Sequence, residues 1–230
     1  MSRAPAERPS LKNAAQRIKP IIARLKRRYP EAQCALEHED PLQLLVATIL
    51  SAQCTDVRVN QVTRTLFQKY RTAEDYANAD PAVFEQEIKS TGFFRNKTKA
   101  ILGLARALLE RHGGRVPASM EALTQLPGVG RKTATLVMIL AFASRRHICV
   151  DTHVHRLANR LGSVRTRTPE ETEAALYEAA PSRWWPVINL YLVTWGQNVC
   201  RPVRPRCGAC AIAALCPRIG VESVRREAAS

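Results

Sequence analysis

Apolar residues recur every three or four positions along most of the chain, with polar residues between them, and this spacing is typical of amphipathic helices. No segment alternates apolar and polar residues between hairpin turns, as a half-buried strand would. The pattern therefore predicts an all-α protein with short connections. Helices are predicted over 11–29, 42–50, 57–69, 81–88, 99–109, 119–123, 132–143, 153–161, 170–179 and 183–195.

Two of these helices begin with a complete N-terminal signal. Asp40 and Thr168 are capping residues, and each is followed by a proline at the first helical position. A Gln or Glu stands three residues after each of them, which completes a capping box. Pro20 lies inside the first predicted helix, where it removes a backbone donor and is expected to kink or split that helix.

The charge of the chain changes this picture from a generic helical protein to one that attracts polyanions. Thirty-five Lys and Arg against twenty Asp and Glu leave a net charge of +15. A field of this sign favours nucleic acid as a partner, although a generally basic surface is the alternative. Pro and Arg dominate the first ten residues, which are predicted to be disordered.

The chain carries no sign of export or of a membrane span. Its N-terminus lacks the apolar run of a secretory signal. The apolar stretch at 135–143 is far shorter than the ~20 residues that cross a bilayer. We therefore expect a cytoplasmic protein, associated with the nucleoid if it is bacterial, with no membrane partner.

The segment LPGVGRKTA at 126–134 combines two glycines with a basic helix start. It lacks the spacing of a nucleotide-binding P-loop, and a helical segment rather than a strand precedes it. The segment instead predicts a tight turn between two helices, in which Gly128 and Gly130 allow positive φ and Val129 is an apolar peg. The amides of the second helix, which begins near Arg131, would then bind a phosphate. A plain αα-hairpin turn is the alternative.

Lys132 follows in the first turn of that helix. The positive end of the helix dipole disfavours an ammonium there, and the free amine can attack an electrophilic carbon to form a Schiff base. A simple phosphate contact is the alternative. Asp151, in VDTH at 150–153, reads locally as an N-cap, or as a carboxylate that takes a proton or stabilises an oxocarbenium-like sugar. His153 and His155 cannot share one helix face, so a helical metal site is not expected.

Four of the seven cysteines lie within residues 200–216, spaced C-x6-C-x2-C-x5-C. Four thiolates on one short segment favour a [4Fe–4S] cluster over zinc, with disulfides a distant third. The other three (Cys34, Cys54 and Cys149) stand alone and read as small buried hydrophobes. Prolines stiffen the stretch after the first clustered cysteine, so its arginines are expected to point outward to phosphates. These are Arg201, Arg204 and Arg206.

Taken together, these motifs resemble the endonuclease III family of DNA glycosylases. The segment LPGVGRKTA resembles the helix-hairpin-helix of that family, VDTH its catalytic-aspartate segment, and SAQCTD at 51–56 a further family element. Cys54 stands where alanine is common in the family. The similarity covers roughly residues 20–217, and it includes the spacing of the cluster ligands, Cys200, Cys207, Cys210 and Cys216.

The resemblance implies a fold of two all-α lobes. One would be a six-helix barrel over residues 34–145, with the helix-hairpin-helix at about 118–140. The other would be a discontinuous iron–sulfur cluster domain made from residues 1–33 and 146–230, with the cluster loop at 200–216. The chain is expected to act as a monomer.

The resemblance also implies a bifunctional base excision repair enzyme, a DNA glycosylase and AP lyase acting on duplex DNA with oxidised pyrimidines or abasic sites. Lys132 would form the imine and Asp151 would assist, with nicking by β-elimination. Phe93 is either an apolar wedge or a core residue. A monofunctional mismatch glycosylase and a non-enzymatic DNA-binding redox sensor are the alternatives. The implied DNA contacts are Gln53, Phe93, Gly128, Val129, Gly130, Arg131, His153, Arg201, Arg204 and Arg206.

Overall fold

A computed structural model describes residues 11–221 of the chain, with side chains from residue 17 onward. The chain divides into two compact units: one is Cys34–Ser144, and the other is formed by both chain ends, up to Gln33 and from Arg145. The described residues are helical and include no strand, so the all-α prediction is confirmed. No helix among them is both long and apolar enough to cross a membrane. The first ten residues, predicted to be disordered, lie outside the described part.

The unit Cys34–Ser144 is built around its first helix, α2, in which eight residues of ten are buried. A helix that is apolar nearly all round belongs in the centre of a core, and α2 packs against α3, α6 and α8. The loop after α2 and the start of α8 are therefore held by the same core. The helices here are α2 (Pro41–Leu50), α3 (Asp56–Lys69), α4 (Ala73–Ala77), α5 (Pro81–Ile88), α6 (Phe94–His112), α7 (Met120–Thr124) and α8 (Arg131–Leu140), with a 3₁₀ turn at Lys89–Thr91.

The unit formed by the chain ends has a separate core, to which α1 contributes four side chains that are almost completely buried. They are Ile18, Ile21, Ile22 and Leu25. Helix α1 continues through Pro20, so the split considered for that position is not found. The helices of this unit are α1 (Leu11–Arg28), α9 (Thr152–Arg160), α10 (Pro169–Ala179) and α11 (Trp185–Asn198), with 3₁₀ turns at Ser182–Trp184, Cys207–Ala209 and Ala213–Leu215.

The two predicted helix starts are present, with one difference in their hydrogen bonds. Asp40 accepts the amide of Gln43 at 2.8 Å, but the Gln43 side chain accepts the amide of Glu39 rather than that of Asp40 itself. Thr168 likewise accepts the amide of Glu171 at 3.2 Å, while the Glu171 carboxylate accepts the amide of the residue before Thr168. The reciprocal bond is therefore displaced by one residue toward the N-terminus in both helices.

Two helices differ most from the sequence pattern. Helix α4 was not predicted, although Thr72 and Asp75 form a complete capping box at its start. Helix α6 was predicted over 99–109 but begins at Phe94. Its first turns were missed because two polar residues, Lys97 and Thr98, occupy the buried face there. A helical turn whose buried face is polar leaves no apolar periodicity in the sequence.

Candidate active site

The turn between α7 and α8 uses its two glycines differently. Gly128 has a φ of 75°, whereas Gly130 has an ordinary φ of −85° and is the N-cap of α8, so the expectation of positive φ is wrong for Gly130. Val129 donates its amide to Leu126 O at 3.1 Å, and its side chain is buried in the core of the unit. The peg interpretation of Val129 therefore agrees with the turn.

Arg131 and Lys132 are both exposed on the first turn of α8. The first amides of a helix have no acceptor within that helix, and the dipole makes this end positive. The start of α8 therefore has the properties that favour an anion, and Lys132 lies in its first turn. The sequence predicted that this helix begins near Arg131 and that Lys132 lies in its first turn, and the structure shows both.

Asp151 and His153 both lie at the start of α9, in the unit formed by the chain ends. Asp151 is the N-cap of that helix, and its carboxylate accepts the amide of Val154 at 2.8 Å. This bond occupies one carboxylate oxygen. His153 is half-buried, and its Nδ1 lies 3.1 Å from the guanidinium of Arg156. A Cβ added to Gly196 would lie 2.7 Å from the same ring nitrogen, so the imidazole is packed closely against α11.

Gln53 and Phe93 line one cavity of about 260 Å³ within the unit Cys34–Ser144. Gly128 and Thr133, from the turn and the first turn of α8, line the same cavity. The Phe93 side chain is 62% exposed, so the core interpretation of this residue is wrong. Both Gln53 (φ 53°) and Phe93 (φ 48°) adopt the left-handed conformation, which is uncommon for residues other than glycine. Gln53, Phe93 and Gly128, three residues predicted from the sequence to contact DNA, thus line the same cavity.

The four clustered cysteines line a second cavity, of about 20 Å³, in the unit formed by the chain ends. All four are free thiols and half-buried. Burial raises the pKa of Cys210 and of Cys216, and the neighbouring cysteines raise both further. Within the described residues no group of three or more His, Cys, Asp or Glu side chains is placed to hold a metal ion.

Two arginines that sequence reasoning did not identify hold the loop of residues 200–216. Arg160 donates to the carbonyls of Arg201 and Pro202, at 2.7 Å each, and lies 3.5 Å from Cys200 Sγ. Arg156 donates to Cys200 O at 2.9 Å. The signal available in the sequence was their four-residue spacing on one face of α9.

The three predicted loop arginines, Arg201, Arg204 and Arg206, are exposed. Arg204 has a positive φ of 49°, and the amide of Arg206 donates to Val199 O at 3.0 Å. The loop is therefore bonded back to Val199 and presents positively charged side chains to solvent. This is suitable for contact with phosphates rather than for reading bases.

Comparison with known proteins identifies the relatives of this chain. Residues 46–182 match the model of the HhH-GPD superfamily base excision DNA repair proteins. The endonuclease III of Synechocystis sp. is 47% identical over 88% of this chain and 92% of its own length. A solved non-covalent endonuclease III–DNA complex is 39% identical, with a TM-score of 0.84, over 89% of this chain and 95% of that one. A trapped covalent endonuclease III–DNA intermediate is also 39% identical, with a TM-score of 0.83, over 89% and 96%.

The matched family model covers more than half of the chain, and the similarity to endonuclease III extends over almost nine-tenths of it. Fold, motifs and relatives agree. The chain belongs to the endonuclease III family, within the HhH-GPD superfamily of base excision DNA repair proteins.

Proposed function

We propose that Lys132 and Asp151 perform the reactions of this base excision repair DNA glycosylase and AP lyase, and that its substrate is duplex DNA with an oxidised pyrimidine or an abasic site. The observation that carries the proposal is the shared cavity. It is lined by Gln53, Phe93, Gly128 and Thr133, and Thr133 directly follows the exposed Lys132. A nucleotide extruded from the duplex would place its sugar beside this lysine.

In the proposed reaction the free amine of Lys132 attacks C1′ of the extruded nucleotide. The bond from C1′ to the base breaks, and the base leaves with the electron pair and gains a proton. The sugar ring opens to an imine between C1′ and Nζ. Loss of a proton from C2′ then expels the 3′ phosphate by β-elimination, which nicks the strand, and water hydrolyses the imine to release the amine.

Asp151 would accept the proton that the Lys132 ammonium loses and stabilise the positive charge that develops on the sugar as the base leaves. Its cap bond to Val154 supports this role, because that bond orients the carboxylate while using only one oxygen. The N-cap interpretation and the catalytic one are therefore compatible. One residue can cap the start of a helix and still act on a substrate.

DNA would be held mainly through its phosphates. The main chain of Gly128, Val129 and Gly130 and the side chain of Arg131 would bind the strand next to the lesion. In the other unit, His153 and the exposed arginines at 201, 204 and 206 would make further contacts to the DNA backbone. Gln53 would fill the gap that the extruded nucleotide leaves, and Phe93 would act as the apolar wedge. The exposure of Phe93 supports the second assignment.

Cys200, Cys207, Cys210 and Cys216 would hold a [4Fe–4S] cluster. The four cysteines line one cavity, and the amide of Arg218 donates to Cys216 Sγ at 3.4 Å, as expected around ligating sulfurs. Each cysteine of such a cluster binds a different iron, so its ligands surround a wider space than the ligands of a single zinc. By binding these four cysteines, the cluster would fix the loop that carries Arg201, Arg204 and Arg206. We expect about four iron atoms per chain in brown protein; a colourless, zinc-containing preparation would contradict this assignment.

We further propose that the chain acts as a monomer, since every predicted site residue lies in one chain. It would work where the genomic DNA is, in the cytoplasm and at the nucleoid if the protein is bacterial. Size-exclusion chromatography with light scattering on the DNA-free protein tests the first point. A mass of twice the chain would contradict it.

Borohydride trapping on duplexes containing thymine glycol or an abasic site tests the chemistry. The native protein is expected to give a covalent adduct, and Lys132→Ala none. Lys89→Ala, which changes another exposed lysine of the same unit, is the control and should trap like the native protein. An undiminished adduct with Lys132→Ala would overturn the assignment. Base release without any adduct would indicate a monofunctional glycosylase, and neither product would indicate a DNA-binding protein without enzymatic activity.

A further inference from the structure

Lys97 is a buried lysine that the proposed reaction does not use. Only 4% of the residue is exposed, and both partners of its ammonium among the described residues are main-chain carbonyls. Nζ donates to Leu50 O at 2.7 Å and to Thr91 O at 2.8 Å. Burial lowers the pKa of Lys97, and a buried cation is costly unless it is well hydrogen-bonded. Such a residue is expected to have a specific structural task.

The two carbonyls lie at the ends of two different elements. Leu50 is the last residue of α2, where carbonyls have no partner within the helix and a cation is favourable. Thr91 is the last residue of the 3₁₀ turn Lys89–Thr91. One ammonium therefore joins the end of α2 to the end of that turn, which are 41 residues apart in sequence.

Each of these ends leads directly into a loop that carries a proposed DNA contact. Gln53 follows Leu50 by three residues, and Phe93 follows Thr91 by two. Both have left-handed backbones, which an L-residue adopts at a cost and retains only where its surroundings enforce it. Both line the same cavity as Lys97 itself.

We infer that Lys97 is a positioning residue that fixes these two loops to each other, so that Gln53 and Phe93 point together into the space where a nucleotide leaves the duplex. This inference rests on the proposed roles of Gln53 and Phe93. Lys97 does not touch the substrate; it acts through the two loops. Its removal leaves two buried carbonyls without donors and frees the loops to move independently.

Lys97→Met tests the inference, because methionine keeps the length and the apolar stem but donates no hydrogen bond. The measurement is a ratio: the dissociation constant for an undamaged duplex divided by that for the same duplex with a tetrahydrofuran abasic analogue. We expect this ratio to fall about tenfold or more, while binding of the undamaged duplex, which depends on phosphate contacts, is unchanged. Lys89→Met, which removes an exposed charge from the adjoining 3₁₀ turn, should keep the native ratio.

A double-mutant cycle separates positioning from general destabilisation. In a Gln53→Ala/Phe93→Ala background, adding Lys97→Met should lower the ratio no further, because the side chains through which Lys97 acts are gone. A native ratio in Lys97→Met, or an equal loss in both backgrounds, would overturn the inference. If Lys97→Met does not fold, Lys97→Gln, which can donate to one carbonyl, takes its place with a smaller expected loss.

Amide hydrogen exchange tests the same inference without DNA. Residues 51–54 and 91–93 should both exchange faster in Lys97→Met than in Lys89→Met, and equal exchange in the two variants would refute the positioning role. If the native protein gives no borohydride adduct and does not distinguish the two duplexes, the proposed function is wrong. The exchange experiment still decides whether Lys97 fixes the loops.

Discussion

Replacing Gly128 by alanine should destabilise the protein, for two independent reasons that the structure supplies. The φ of Gly128 is 75°, and the left-handed conformation costs an L-residue about 1–2 kcal/mol. The new Cβ would also lie 2.7 Å from Ala100 Cβ, a short and rigid side chain, and 3.4 Å from Ile49 Cδ1. Overpacking of this kind costs about 1–3 kcal/mol. The sum is a loss of about 2–5 kcal/mol in the free energy of unfolding.

Gly130→Ala is the matched control, two residues away in the same turn. Its φ is −85°, and a Cβ there would meet nothing within 4 Å in the described residues. Its free energy of unfolding should stay within about 1 kcal/mol of the native value. A methyl group at this position would nevertheless occupy space beside a bound phosphate, so the affinity of the Gly130→Ala variant for duplex DNA should fall.

Urea unfolding followed by circular dichroism measures both variants, and fluorescence anisotropy with a labelled duplex measures binding. If Gly128→Ala unfolds at the same urea concentration as the native protein, or if Gly130→Ala is the less stable of the two variants, strain and overpacking at Gly128 are refuted. A Gly130→Ala variant that binds DNA like the native protein would contradict the close approach of a phosphate at the turn, while leaving the stability argument intact.

Two further predictions concern the unit formed by the chain ends. Asp151→Asn retains a cap for the Val154 amide, so it should keep native stability while base release slows at least about 100-fold; Asp151→Ala should also lose about 1 kcal/mol of stability. Single-turnover kinetics and urea unfolding measure these effects, and native activity in Asp151→Asn would exclude a catalytic role. Arg160→Met removes the donors to the loop after Cys200, so iron should be lost to a chelator faster than from Arg165→Met, an exposed control. Equal rates of loss would refute the anchoring role of Arg160.

The helical architecture was predictable because it depends on local signals. Buried helix faces repeat at helical spacing, and capping residues such as Asp40 and Thr168 mark where helices begin. Both signals act over a few residues, so a single sequence contains them in full. The first two turns of α6 escaped detection because Lys97 and Thr98 occupy its buried face.

The geometry of the candidate site was less predictable. The glycines of the turn look equivalent in the sequence, yet only Gly128 has a positive φ, and only there would a Cβ clash with Ala100, which lies on the distant helix α6. Phe93 reads as a core residue by composition and is mostly exposed. It also has a left-handed backbone, which neither residue type nor periodicity indicates.

Several of these departures from the sequence pattern lie together at one cavity of the unit Cys34–Ser144. An exposed phenylalanine, two left-handed residues other than glycine and a buried lysine each cost stability when considered alone. In this chain Gln53, Phe93 and Lys97 line the same cavity, and the lysine bonds to the carbonyls that precede both strained residues. Costs that are concentrated in this way are expected at a site where stability is given up for a fixed geometry. The local rules of folding fail at the place where a substrate would have to be received.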